Sequence, residues 1–207
     1  MLANNALTTL ERMKLMLGLP EEIDERTQTI IELLINKASA GIERQTGRHL
    51  GRDSYRQFYD ADGQQNLVLL EYPIIRVEYV KENGILVNPS SYDYGQTGEI
   101  GVIYRDEGWM KAGYRRGLAY DIVAPKRIIE VSYTAGYVLP KDATEDDPQT
   151  LPADLEGLLW EMVSQTYTGL QNGSQGLTAF SISDVTWQFD KTSRPEWAQL
   201  INLYRRF

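Results

Sequence analysis

The sequence has no cysteine, a single histidine and no long apolar run, and each absence excludes a class of protein. Without cysteine the chain can form neither a disulfide scaffold nor a thiolate metal site, and synthesis in the cytoplasm is favoured. The single histidine, His49, excludes metal sites built from several histidines. No stretch approaches the roughly 18 consecutive apolar residues of a membrane span, and residues 1–5 show no secretory signal. We therefore expect no membrane association.

The composition is that of a globular protein with an acidic surplus. The 207 residues are 42% hydrophobic and 24% charged, and the formal net charge is −8 at pH 7. Residues 141–207 carry 5 basic and 10 acidic side chains, which concentrates the surplus in the last third of the chain. Because affinity for nucleic acid comes from many Lys and Arg contacts to phosphate, this balance argues against a protein that wraps DNA or RNA.

Helix signals lie towards both ends of the chain. A short first helix is predicted after a capping box in which Thr8 is the N-cap. A long amphipathic helix is predicted from the N-cap Asp24 to the C-cap Gly47, because its apolar residues recur at spacings of 3, 4 and 7. A third helix begins at Pro152, where proline is tolerated in the first turn. A short terminal helix follows a second capping box at residues 193–196.

The middle of the chain has the pattern of an antiparallel sheet. Apolar and polar residues alternate there, and Asn83-Gly84 is the strongest short signal for a hairpin turn. Strands are predicted near residues 55–59, 67–70, 74–80, 100–104 and 128–133. The predicted fold class is therefore α+β, with N-terminal and C-terminal helices forming a helical bundle, an inserted antiparallel β unit and an extended C-terminal arm.

Shifts in composition predict the limits of these parts. Residues 1–50 and 151–170 form the helical core, and residues 51–140 form the inserted antiparallel β unit. Residues 141–150 are an acidic connector that is rich in carboxylates and bounded by proline. Residues 171–207 form a flexible arm, which ends in the terminal amphipathic helix.

The third helix has an unusually wide apolar arc. At 100° per residue its apolar positions cover roughly 200°, more than a one-sided surface helix shows. This helix is therefore either central to the core or covered in part by a neighbouring subunit, and the sequence leaves both open. The candidates for subunit packing are Leu155, Leu158, Leu159, Trp160, Met162, Val163 and Tyr167.

The C-terminal arm is rich in aromatic and basic residues. Its first half alternates in the manner of a strand, which suits addition to a neighbour's sheet, and its terminal helix is amphipathic. Because Trp, Tyr and Arg anchor many protein interfaces, the arm is a candidate partner-binding site; the alternative is that it folds back onto its own core. The candidate residues are Val185, Trp187, Phe189, Trp197, Leu200, Ile201, Tyr204, Arg205, Arg206 and Phe207.

Other chemical sites are weaker in the sequence. His49 follows a helix end, where a histidine is explained by the helix dipole, and the carboxylates of residues 142–147 suit a solvated connector. Two alternative functions stay open. An enzyme would use Asp60 and Asp62 as an acid/base pair. A monomeric binding module would recognise a peptide or glycan through aromatic residues of the β unit, namely Tyr92, Tyr94, Tyr104 and Trp109.

Six short segments, spread over nearly the whole chain, carry a family resemblance. They are residues 7–18 (LTTLERMKLMLG), 38–48 (ASAGIERQTGR), 69–77 (LLEYPIIRV), 131–137 (VSYTAGY), 151–155 (LPADL) and 203–207 (LYRRF). In this order and spacing they resemble the head–tail connector (adaptor, head-completion) family of long-tailed bacteriophages.

The resemblance implies a structural virion protein with no catalytic, cofactor or metal site. Members of the family form a ring, usually twelve-fold, beneath the portal; it extends the DNA channel and offers a docking surface to the next tail component. The implied partners are the portal protein, a tail or stopper/tail-completion protein and further copies of the chain. DNA would pass through the channel without sequence-specific binding. The resemblance also implies that residues 184–207 reach into the portal, and that the protein is made in the bacterial cytoplasm and resides in the virion neck.

Overall fold

The computed structural model describes residues 1–60, 63–109, 127–172, 179–182, 185–188 and 195–205. The elements in these ranges are α1 (Leu10–Met16), α2 (Glu25–Thr46), β1 (Asp53–Tyr59), β2 (Asn66–Val68), β3 (Ile74–Glu82), β4 (Ile85–Leu86), β5 (Val102–Tyr104), β6 (Ile129–Ala135), α3 (Ala153–Gln171), β7 (Ala179–Ile182), β8 (Val185–Gln188) and α4 (Pro195–Leu203). Helices at both ends with antiparallel sheets inserted between them confirm the α+β fold class.

The chain divides into two compact units. One, the helical unit, consists of Met1–Arg48 together with Val138–Phe207, and the other, the β unit, consists of His49–Tyr137. The helical unit is therefore built from two segments that are far apart in sequence. Its centre is the packing of α3 against α2. The two shorter helices, α1 and α4, each contact both α2 and α3. Buried side chains of this core include Ile31, Ile35 and Ile42 of α2.

The helix ends confirm one predicted cap pair and correct another. Asp24 accepts a hydrogen bond from the Thr27 N–H at 2.9 Å, and Gly47 caps the C-terminus of α2, as predicted. The N-cap of α1 is Thr9, whose hydroxyl accepts from the Arg12 N–H, and the prediction of Thr8 was wrong by one residue. Thr8 is fully buried, and its hydroxyl is occupied by side chains of α3.

The β unit contains a four-stranded antiparallel sheet in the order β1-β6-β3-β4 and a two-stranded sheet of β2 and β5. The predicted hairpin is present: Asn83 and Gly84 both have positive φ, 50° and 79°, and connect β3 to β4. This is the backbone geometry that a two-residue turn between twisted strands requires. The central strand β6 alternates buried and half-buried side chains, so it presents Ile129, Val131 and Tyr133 to the core.

The fully buried Tyr133 places a hydroxyl inside this core. The hydroxyl donates to Gln57 Oε1 at 2.7 Å and accepts from the Glu71 N–H at 3.2 Å, and the Tyr59 hydroxyl lies 3.2 Å away. Burial is the main cause that raises the pKa of Tyr133 well above the ordinary tyrosine value. The hydroxyl therefore stays neutral and holds the backbone at Glu71 against strand β6.

Replacing Tyr133 with phenylalanine is expected to destabilise the β unit by about 1–3 kcal/mol. The ring would still fill its site, but the buried Glu71 N–H would lose its acceptor, and leaving a buried donor unpaired costs about that much. The measurements are the free energy of unfolding in urea and the rates of amide hydrogen exchange in β1 and β6. The control is Tyr79→Phe, because Tyr79 is only half-buried and its hydroxyl donates to Glu130, a bond that water can replace more easily than the buried one. Equal stability of Y133F and wild type would contradict the structural role of the hydroxyl.

Candidate interaction site

The terminal helix α4 packs onto α2 and α3 of its own unit. Ile201 is buried, with 5% of its surface exposed, while Trp197 and Leu200 are half-buried. Of the two arrangements that the sequence left open for the arm, the structure has α4 folded back onto the same chain. An amphipathic helix of nine residues gains most of its stability from such packing.

Polar contacts hold α4 along its length. The Trp197 indole N–H donates to Glu161 Oε2 at 2.8 Å, which fixes the first turn of α4 against α3. Just beyond the last turn, the Tyr204 hydroxyl donates to the carboxylate of Asp154, with both oxygens at 2.8 Å. The buried Arg48 Nε donates to the Tyr204 carbonyl oxygen at 3.2 Å. These contacts join residues 36 to 156 positions apart, so the neighbouring sequence does not reveal them.

The outward side of α4 remains available to a partner. Leu203 is 78% exposed, and Arg205 is exposed beside it. Val185 lies at the start of β8, which pairs with β7, and Trp187 is the register partner of Phe180 in the same pairing. The candidates Phe189, Arg206 and Phe207 lie outside the described residues. Binding of the arm to a partner stays a prediction.

The wide apolar arc of α3 is used within the helical unit. Five of its seven candidates for subunit packing are buried there, because α3 contacts α1, α2 and α4. These five are Leu155, Leu158, Leu159, Val163 and Tyr167. Trp160 and Met162 retain exposed surface, and the Trp160 indole N–H donates to the Thr8 hydroxyl at 2.9 Å. The helix is central to the core, and packing against a neighbouring subunit stays a prediction.

A groove between α2 and α3 is the feature that sequence reasoning missed. Its volume is about 200 Å³. It is lined by Leu34, Lys37, Ala38, Gly41, Arg44, Gln45, Met162, Val163 and Thr166. Gly41 lies within α2, five residues before its last residue, and no atom outside the local helix backbone lies within 4 Å of the position that a Cβ would take there. A glycine inside an otherwise regular helix indicates a special packing environment, but it does not indicate which helix packs beside it.

The aromatic residues of the β unit belong mainly to its core. Trp109 is 2% exposed, and its indole N–H donates to the Gln65 carbonyl oxygen at 3.0 Å. Its ring contacts Tyr92 with centroids 6.2 Å apart, and the Tyr94 hydroxyl accepts from the Val77 N–H. Trp109 is therefore unavailable to stack on a peptide or a sugar.

His49 and Asp60, two titratable residues considered in the sequence, each take part in a hydrogen bond between a backbone N–H and a carboxylate. The His49 N–H donates to Glu71 Oε2 at 3.0 Å, and Asp60 Oδ1 accepts from the Arg127 N–H at 2.7 Å. Asp62, the proposed partner of Asp60, lies outside the described residues. In the described ranges no three His, Asp or Glu side chains are grouped to hold a metal ion, and no helix is long and apolar enough to cross a membrane.

Comparison with known proteins identifies the family. The family model of the head completion protein matches residues 6–151, which include α1, α2 and the whole β unit. The chain belongs to the head completion protein family. The resemblance to head–tail connectors is thereby confirmed, and this head completion protein is a structural component of the virion head–tail junction. The match ends just before α3, although α3 and α4 complete the core of the helical unit.

Solved structures share the fold of this head completion protein. A chain from the neck of an empty gene transfer agent (GTA) particle, computed with C6 symmetry, aligns with a TM-score of 0.58 and 13% identity. The values are 0.54 and 14% for the neck of the native GTA particle computed with C12 symmetry, and 0.51 and 15% for the native GTA virion. Each alignment covers 100% of this chain and 93% of the other. No curated protein sequence matches the chain.

Proposed function

We propose that this head completion protein forms a ring below the portal in the neck of a virion, where it extends the DNA channel and joins the capsid to the tail. The observation that carries the proposal is the family match over residues 6–151. The fold it shares with chains from GTA necks computed with C6 and C12 symmetry supports a ring, with twelve copies as the expected number.

The charge of the chain suits a channel that DNA crosses. The net charge is −8, so copies in a ring would offer phosphate few uncompensated cations. DNA would pass without being held and without sequence-specific readout. The net negative charge would also make free subunits repel each other, which disfavours their aggregation.

The proposed portal contact is the outward side of α4 with the rest of the arm. The packing of Ile201 and the hydrogen bonds of Trp197 and Tyr204 fix α4 as a rigid helix, and Leu203 points away from the core. A preorganised helix loses little conformational entropy when it binds a groove of another protein. A tail or tail-completion protein would bind another face of the same ring.

Changing Leu203 to glutamate is expected to weaken binding to purified portal at least about tenfold while leaving the melting temperature unchanged. A charge would then have to be buried at an apolar contact, whereas in the free protein this side chain is already 78% exposed. The measurement is binding of full-length protein to immobilised portal. Ile85→Glu is the matched control, because Ile85 is 73% exposed in the β unit. Equal portal affinity of L203E and wild type would exclude this side of α4 as the contact.

The function itself is tested by removing the gene from a strain that produces the particles. We expect DNA-filled heads and separate tails, and joined particles after complementation with the wild-type gene. Electron microscopy of the complemented particles should place the protein in the neck as a ring. Normal joined particles without the gene, or the protein at any other site of the virion, would overturn the proposal.

A further inference from the structure

The helical unit has a groove with two cations in its lining and, on α1, an exposed apolar corner with carboxylates beside it. We propose that, in the ring proposed above, the exposed corner of α1 formed by Leu15 and Met16 docks into the α2–α3 groove of the next copy. The occupant of the groove is thus a second copy of this chain. The inference rests on the proposed function, and it names the surfaces by which ring neighbours recognise each other.

The groove is shaped to receive an apolar side chain. Its volume of about 200 Å³ exceeds the roughly 150 Å³ of an engineered apolar cavity that binds benzene, so one Leu or Met side chain fits inside. Ala38 and Gly41 contribute little side-chain volume to the wall, and Met162 is an adaptable apolar neighbour. Glycine is among the poorest helix formers, so Gly41 within α2 leaves the groove open at a cost to the stability of the helix.

The corner of α1 is the matching protrusion. Leu15 is 80% exposed and Met16 is 50% exposed, although both lie in a regular helix whose opposite side buries Met13. Glu11 precedes Leu15 by four residues and therefore lies on the same side of α1. Glu22 follows shortly after the helix and is also exposed. The cations of α1 are engaged within the same chain: Arg12 pairs with Glu156 at 2.9 Å, and Lys14 Nζ donates to the Glu21 carbonyl oxygen at 2.7 Å. The protrusion is thus apolar at its tip, with the carboxylates of Glu11 and Glu22 beside it.

Charge complementarity selects this occupant for the groove. Lys37 and Arg44 line the groove and are exposed, and within the described residues neither has an ion pair with a carboxylate. Glu11 and Glu22 likewise have no cationic partner there. Copies with a net charge of −8 repel each other at a distance, so a local pairing of opposite charges would set their register.

The protrusion and the groove face different directions, as a ring requires. The segment that leads into α1 lies along α2, where the Ala3 N–H donates to Asn36 at 2.8 Å and the Leu7 N–H donates to Ser39 at 3.1 Å. At about 100° per residue, Ser39 and the groove residue Gly41 point in directions roughly 160° apart on α2. Two different surfaces on one subunit give a head-to-tail contact, which closes into a ring when the rotation permits.

The first test fills the groove. Gly41→Leu should raise the melting temperature by about 2–4 °C, because leucine is a better helix former and its Cβ meets open space. The same variant should lower the yield of rings on purified portal at least about tenfold. Gly157→Leu is the matched control: Gly157 also lies within a helix with open space around its Cβ position, but it is outside the groove. Wild-type ring yield with G41L would overturn the proposal and leave the proposed function standing.

The second test uses the absence of cysteine, since any disulfide must join introduced residues. Full-length Leu15→Cys and Gly41→Cys copies, distinguished by mass, are mixed on portal and oxidised. We expect the mixed dimer, and its loss when Lys37 and Arg44 are both changed to glutamate. Disulfides between identical copies alone, or protection of Gly41→Cys by a portal segment, would overturn the proposal. If wild-type protein forms no ring on portal and is absent from necks, the proposed function fails as well.

Discussion

Replacing Glu156 with alanine is expected to lower the free energy of unfolding of the helical unit by about 3 kcal/mol. Glu156 is 3% exposed, and its carboxylate accepts hydrogen bonds from the Thr8 hydroxyl at 2.7 Å and the Gln149 amide at 3.0 Å. It also forms an ion pair with Arg12 at 2.9 Å. Removing one member of such a group leaves the others without partners, and breaking a buried ion pair costs about 3–5 kcal/mol. The lower end applies because Arg12 is 44% exposed and can be rehydrated.

The loss of the Glu156 carboxylate would remove contacts between three parts of the chain. Glu156 belongs to α3, Thr8 and Arg12 belong to the first segment, and Gln149 lies in the connector that precedes α3. The measurement is urea unfolding monitored by far-UV circular dichroism, which reports mainly on the helical unit. Glu145→Ala is the control, since Glu145 is an exposed carboxylate of the same connector. If E156A unfolds at the same urea concentration as E145A, the carboxylate does not join these segments.

Local sequence was sufficient where the structural cause is local. The caps of α2 depend on Asp24 and Gly47 and on backbone within one turn of each. These two residues therefore located both ends of the helix, and the spacing of the apolar residues between them predicted its length. The hairpin at Asn83-Gly84 was predictable for the same reason, because the turn geometry is set by the two residues that form it. The α+β class followed from these local patterns taken together.

Contacts between distant segments decided the features that the sequence did not show. Thr8 and Thr9 are equivalent as capping residues, and the choice between them follows from Glu156 and Trp160, which lie about 150 residues further on. The α2–α3 groove exists because α2, which precedes the inserted β unit in the sequence, packs against α3, which follows it. No pattern within α2 alone states which helix lies beside Gly41, so the groove had to be found in the structure.

The position of α4 follows the same rule. Its amphipathic pattern predicted a helix with one apolar side, but the pattern is the same whether that side binds a partner or the chain's own core. Asp154 and Glu161 of α3 accept hydrogen bonds from Tyr204 and Trp197, and these contacts hold α4 on the core of its own chain. Binding of a partner by the outward side of α4 stays a prediction.

Changing Gly136 to alanine is expected to destabilise the β unit by about 3 kcal/mol or more. Gly136 has a φ of 103°, and a Cβ there would lie 2.5 Å from the Gly51 carbonyl oxygen and 3.0 Å from Arg52 Cα. These are backbone atoms, so no rotamer change can relieve the clash, and the strand ends would have to separate. The separation would break the hydrogen bonds that join these strand ends, from the Arg52 N–H to the Tyr137 carbonyl oxygen and from the Tyr137 N–H to the Leu50 carbonyl oxygen, both 2.8 Å long.

Gly84→Ala separates the two causes of the Gly136 effect. Gly84 has a similar positive φ of 79°, but no atom lies within 4 Å of its Cβ position, so its substitution should cost only the backbone strain of about 1–2 kcal/mol. The difference between the two variants measures the close approach of the chain at Gly51. Thermal unfolding, together with amide exchange at Arg52 and Tyr137, whose N–H and carbonyl groups pair there, gives both values. A cost for G136A no larger than that for G84A would show that residues 51 and 136 are not packed as closely in solution.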